Sequence, residues 1–258
     1  MAIDPVGSAP ISSARLMSRQ RPGDDFFSSF EAAYAAYEGV SSAVSGAGPA
    51  TKSDTLLADL MGASHMALSV RRGIDAGDQA VYAGILARAY AGGGMDDPAG
   101  FLQSLTREEL AVVQHMHCLA DPIDPAGLSR EGAYNLLLPE GYAVDFDHNG
   151  IQEVGLAKSI AFPPLDAPQG FKDAWFAATE GMDEGEVMSY GLMMHNMLYS
   201  IPVGGGDPVP IAASDRLASY RDGVAAYLKS IESFRSQLAE GQYERDLAFF
   251  SRLQRILG

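Results

Sequence analysis

The chain has a single cysteine, Cys118, so no intramolecular disulfide can frame the fold. Basic residues are scarce. Lys and Arg total 18 against 33 Asp and Glu, a formal charge of −15, which excludes nonspecific nucleic-acid binding, because phosphate neutralisation needs clustered cations. No run of about 18 apolar residues occurs, so no membrane span is expected. Residues 1–23 lack the apolar core of a secretory signal and are rich in Ser, Pro and Ala. They read as a flexible or docking arm. The default compartment is the cytoplasm, and export by a route without a cleaved signal stays open. There is no Gly-x-Ser-x-Gly elbow, and the clusters Gly92-Gly-Gly94 and Gly204-Gly-Gly206 carry no following Lys-Ser/Thr, so neither an esterase nucleophile nor a phosphate loop is indicated. Lysine is also rare relative to arginine, a bias associated with GC-rich bacteria.

What is present is an ordinary supply of core-forming residues: 47% hydrophobic and 20% charged over 258 residues, enough for a sizeable core. Apolar residues recur at three- and four-residue steps along most of the chain, which predicts a mainly α, irregular multi-helix domain. The spacing predicts helices over residues 24–44, 54–74, 78–90, 98–105, 107–119, 129–138, 169–180 and 183–200. Thr106-Arg-Glu-Glu109 is a capping box, and Leu128-Ser-Arg-Glu131 echoes it. Cys118 falls in an apolar helical run as a small core residue, and Trp175 as a helix anchor. Residues 142–146 and 151–156 are strand-like and flank the stretch Asp145–Glu153. Residues 24–201 thus form a helical core. Residues 202–210, Pro- and Gly-rich, form a linker. Residues 211–258 form a C-terminal amphipathic helical pair, which packs back on the core or projects toward a partner.

Negative charge is concentrated in one region. From Pro139 to Tyr190 there are ten acids against two lysines, a net of −8. In its midst lies Asp145-Phe-Asp147-His-Asn149-Gly150-Ile151-Gln-Glu153. Oxygen-bearing side chains fall at relative positions 1, 3, 5 and 9, with glycine at 6. Alternate side chains can converge on a hard cation only if the backbone curls tightly, and glycine relieves that turn. The pattern resembles the DxDxDG-type calcium loops of EF-hands, dockerins and integrin-type repeats. The resemblance covers nine residues and implies Ca²⁺ held by Asp145, Asp147, Asn149, the carbonyl of Ile151 and Glu153. Position 12, a bidentate Glu in EF-hands, is Leu156, and Pro139 and Gly141 block an entering helix. The form with a position-9 carboxylate fits better than an EF-hand. Asp183, Glu184 and Glu186 are candidates to complete the shell. The alternative is a metal-free β-hairpin turning at Asn149-Gly150, a type I′ signal.

His115 and His117 lie two apart on a helix and face different sides, so they do not form a metal pair. His65 and His195 have no acidic or nucleophilic partner at recognisable spacing. Five methionines (Met182, Met188, Met193, Met194, Met197) gather near one helix, a composition suited to core packing and to a docking groove. The leading expectation is a non-enzymatic bacterial calcium-binding protein, with Ca²⁺ stabilising the acidic region for structural purposes or for a protein partner bound by the C-terminal pair or the Met-rich helix. A metal-free scaffold or secretion-associated interaction protein, and an enzyme with its site in the helical core, are the alternatives.

Overall fold

A computed structural model describes residues 11–43 and 51–258. The architecture is mainly helical with two small antiparallel sheets. In chain order come α1 (Ser13–Met17), α2 (Phe26–Ala43), α3 (Thr51–Met61), α4 (Ala63–Arg72), α5 (Ala76–Ala91), α6 (Pro98–Gln103), α7 (Arg107–Met116) and α8 (Arg130–Asn135). The hairpin β1 (Ile151–Val154) and β2 (Ala157–Ile160) follows. Next are α9 (Gln169–Ala178), α10 (Glu184–Leu198), the two-residue strands β3 (Tyr199–Ser200) and β4 (Val209–Pro210), α11 (Leu217–Ser233) and α12 (Gln242–Leu257). Among the described residues no helix is long and apolar enough to cross a membrane.

The apolar residues gather into two cores. The first joins α2, α3 and α5–α8, with α5 at its centre: Tyr82, Ala83, Leu86 and Ala89 of that helix are fully buried. The buried tyrosine hydroxyls here have partners, as low dielectric requires. The Tyr82 hydroxyl donates to the carbonyl of Leu138 at 2.8 Å and the Tyr90 hydroxyl to that of Leu137 at 2.8 Å. These are carbonyls that the ending of α8 leaves without intrahelical donors. The capping box of α7 forms as expected, with Thr106 and Glu109 each closing on the other's backbone.

The second core joins α9–α12 around Trp175, which is fully buried between Phe162 (4.7 Å) and Phe249 (5.8 Å). Phe171 stacks on Tyr220 at 3.6 Å. The C-terminal pair therefore packs back; buried Asp246 of α12 accepts from Tyr227 of α11 at 3.0 Å within the pair and from Tyr190 of α10 at 3.5 Å outside it.

Several local expectations change. The predicted helix over 54–74 is two helices, α3 and α4, because Gly62 adopts φ +86° between them. Residues 11–23, read as part of a flexible or docking arm, take the docked form. Ala14 of α1 is 1% exposed in the second core, and Gln20 bridges Gly141 and Ala143 by backbone hydrogen bonds of 2.9 and 3.0 Å. Residues 1–10 lie outside the described residues. The expected linker 202–210 is a loop closed by β3 and β4, with Ser200 opposite Val209. Cys118 is exposed in a left-handed conformation (φ +54°) just past α7, not buried in it.

Where the chain passes from the first core toward the second, Glu140 is 8% exposed. Its carboxylate accepts from Arg19 at 2.6 Å and from Arg72 at 2.7 Å. Its backbone N–H donates to Nδ1 of buried His65 at 3.2 Å. His117, also buried, donates from Nε2 to the carbonyl of Leu136 at 3.1 Å. The segment entering the loop is thus pinned by charge from α4 and from the stretch after α1.

A candidate cation loop clamped by α8

Residues 145–153 curl because side-chain oxygens capture their own backbone amides. Asp145 Oδ2 accepts from Gly150 N–H at 3.1 Å, Asp147 Oδ1 from Asn149 N–H at 3.2 Å and Asn149 Oδ1 from Ile151 N–H at 2.7 Å. The Asn149 amide group also donates to Asp147 Oδ2 at 2.9 Å. Two residues stand in the left-handed region, His148 (φ +55°) and Gly150 (φ +77°).

The two arms of the loop are held from outside by one face of α8. Glu131 Oε2 accepts from Phe146 N–H at 2.9 Å and Oε1 from Glu153 N–H at 3.0 Å. One turn along, Asn135 accepts from Val144 N–H at 2.8 Å and donates to the carbonyls of Val144 and Glu153 at 3.0 and 2.8 Å. Residues 131 and 135 face the same way because they are four apart.

This clamp brings a third carboxylate to the loop. One oxygen each of Glu131, Asp145 and Asp147 lies within 4.8 Å of the others. Asp145 is 9% exposed, and its Oδ1 is buried with no hydrogen-bond partner. Burial first, and then the charge of Asp147, pushes the Asp145 carboxyl above its ordinary value. Burial also raises Glu131, with Asp145 and Asp147 adding to it. The cluster concentrates negative charge, and among the described residues none of its three carboxylates forms an ion pair.

Of the residues expected from spacing, Asp145 and Asp147 meet in this cluster. Asn149 and Ile151 lie in the same curl, engaged with each other and with Asp147. Glu153 contributes its backbone to the clamp. Its carboxylate runs across the hairpin instead, accepting from Lys158 at 2.8 Å and from the Ser129 hydroxyl, and those two partners hold it below the ordinary carboxylate range. Asp183 and Glu186 form the capping box of α10, and Glu184 pairs with Arg71, so these acids are engaged elsewhere. Glu131 was not expected at the site. Its only sequence signal is the echo of a capping box at Leu128-Ser-Arg-Glu131, and Ser129 does cap α8 while Glu131 turns to the loop. The hairpin also forms one step later than Asn149-Gly150 suggested, turning at Gly155-Leu156 with Glu153 opposite Lys158. Residues 142–146 are no strand of that hairpin.

On its other side the loop meets the second core. A Cβ added to Gly150 would lie 2.7 Å from the Tyr199 ring and 2.9 Å from His195 Nε2. His195 is fully buried and stacked on Tyr199 at 4.6 Å, and burial lowers its pKa, keeping it neutral. Gly150→Ala is accordingly expected to lose about 2–3 kcal/mol, combining the left-handed backbone with overpacking. A urea titration checks this, and a loss below about 1 kcal/mol would mean the loop relaxes freely away from Tyr199. His115 and His117 point apart, the first to Asp78 at 2.9 Å and the second inward. Beside the loop, Ile151, Ile160, Phe162, Met188, Leu192 and Ile201 line an apolar groove of about 580 Å³.

No family model, no curated protein and no solved structure matches the chain.

Proposed function

We propose that this is a calcium-binding protein in which Ca²⁺ is a structural staple between the two cores. The reading is carried by one observation: a buried Asp145 oxygen with no partner, set within 4.8 Å of carboxylate oxygens from Asp147 and Glu131. Leaving such an oxygen dry and unpaired is costly, and a cation removes the cost. The donors are all hard oxygens with no thiolate or imidazole among them, which favours Ca²⁺ or Mg²⁺ over transition metals. A loop that already curls over several residues suits the six to eight oxygens of Ca²⁺ better than the compact octahedron of Mg²⁺. Asp145, Asp147 and Glu131 would hold the ion, with Asn149 and the Ile151 carbonyl as the neighbouring oxygens. Because Glu131 belongs to the first core and Gly150 packs on the second, the ion would fix their junction.

The wild-type chain is expected to melt later in Ca²⁺. At a hundred times Kd the gain is about 2.7 kcal/mol, or roughly 5–10 °C for a chain of this size. Asp145→Asn with Asp147→Asn should abolish the shift. A midpoint unmoved by millimolar Ca²⁺ in the wild type would remove the reading.

A further inference from the structure

We propose a second, separate binding site: the cleft between α1, the start of α4 and α9 takes the phosphate group of a small organic phosphate monoester. The cleft has a volume of about 450 Å³, within the range of small-molecule sites. In a chain of net charge −15 its lining is positive, holding Arg15, Arg19 and Lys172 against Glu140 alone.

Two of these cations are uncommitted. Arg19 is used up, donating to Glu140 and to the carbonyls of Leu16 and Ser18. Arg15 lies 4.4 Å over the Phe176 ring, and no carboxylate among the described residues pairs with it. Lys172 donates to the carbonyl of Leu165 at 2.9 Å and forms no ion pair among the described residues, although the charge of Asp166 reaches it; two of its ammonium hydrogens are left. Glu140 does not counter them, since it is already paired with Arg19 and Arg72. The lining therefore carries three cations against one anion, a balance that matches a dianion.

The floor of the cleft adds donors. Gly62, Ala63 and Ser64 line it, and they are the N-cap and first turn of α4, a ten-residue helix without a side-chain cap. Serine, aspartate or asparagine usually fills that position and satisfies these amides internally. Here Gly62 stands with φ +86°, and the N–H groups of Ala63 and Ser64 meet no acceptor among the described residues. Open first-turn amides beside unpaired cations are the chemistry that recognises phosphate. Ile11, Met61 and Phe176 give the cleft an apolar patch beside the polar side chains of Ser18, Gln20, Tyr142 and Gln169, and the cleft is larger than a bare phosphate needs. Both features assign it an organic body as well as the anion.

Calorimetric titration of the full chain at low salt, without calcium, tests this with phenyl phosphate as the probe. Saturable binding is expected, and Arg15→Gln and Lys172→Met should each weaken it by about tenfold, the scale of one charge-assisted contact. Lys172→Arg should retain binding, which separates charge from folding, and melting curves show whether each variant is intact. Inorganic phosphate should bind more weakly than phenyl phosphate, because it leaves the apolar patch unused. Benzoate should bind at least tenfold more weakly, because it is a monoanion. No binding of any probe, binding undiminished in both charge-removing variants, or benzoate as tight as phenyl phosphate would each overturn the proposal.

Discussion

Glu131→Ala is expected to lower stability by about 3 kcal/mol in the absence of metal and to remove the calcium response. The wild-type carboxylate accepts from the backbone at both arms of the loop, Phe146 on one and Glu153 on the other. Hydrogen bonds to a charged acceptor are worth about 1.5–3 kcal/mol each. Burial, and after it the charges of Asp145 and Asp147, raise the Glu131 pKa and offset part of that gain. Glu131→Gln keeps one acceptor oxygen and should cost only about 1 kcal/mol, yet it should still weaken Ca²⁺ binding, since a neutral amide replaces a carboxylate. Urea titrations with and without Ca²⁺ separate these effects. An alanine variant within 1 kcal/mol of wild type would show that Asn135 alone holds the arms. The calcium response should also shrink as the pH falls through the carboxylate range, because protons compete for raised-pKa ligands.

Glu140 is expected to make the fold acid-labile. Burial works against its charge, but the Arg19 and Arg72 guanidiniums outweigh burial and hold its pKa at about 2. An acid whose folded pKa lies below its unfolded value stabilises the fold above the unfolded value. That contribution is lost as the pH falls from about 4.5 through about 2. The shift corresponds to roughly 3 kcal/mol. His65 acts in the same direction but earlier. Burial lowers its pKa to about 4, so stability present above pH 6.5 declines between about 6.5 and 4 as the unfolded chain takes up the proton first. Glu140→Ala leaves two guanidiniums without their buried partner and should cost about 3–5 kcal/mol at pH 7. The check is a series of urea midpoints from pH 7 to pH 2. Parallel pH profiles for the wild type and Glu140→Ala would refute the assignment.

How much was legible in the sequence follows from the range of the interactions involved. The capping box at Thr106 and the apolar spacing of α5, α9, α11 and α12 act within a few residues, and the sequence displays them directly. The loop was legible for the same reason, since its oxygens capture amides two to five residues on. What closes the site was not. Glu131 and Phe146 are 15 residues apart, and Arg19 and Glu140 are 121 apart. No local period marks either pair. The hairpin shifted because Asn149-Gly150, a sound turn signal in isolation, lies inside a curl fixed by Asp145, Asp147 and the α8 clamp. Those contacts hold residues 142–146 away from β1. Gly62 was passed over because a glycine within a helical apolar pattern reads as tolerated until its positive φ is seen.

The docking of α1 has a consequence for how the molecule is completed. Ala14 inserts among side chains drawn from Phe162 to Leu257, so α1 finds its complete seat only after α12 has been made. The first core, built from Phe30 through Leu137, can assemble during synthesis with that segment still unplaced, as domains of growing chains generally do. Arg19 can reach Glu140 midway, but Ala14 must wait for α12. A segment made before either core is therefore among the last to be locked, and a change that delays the docking of residues 11–23 should slow the closing of the second core rather than the formation of the first.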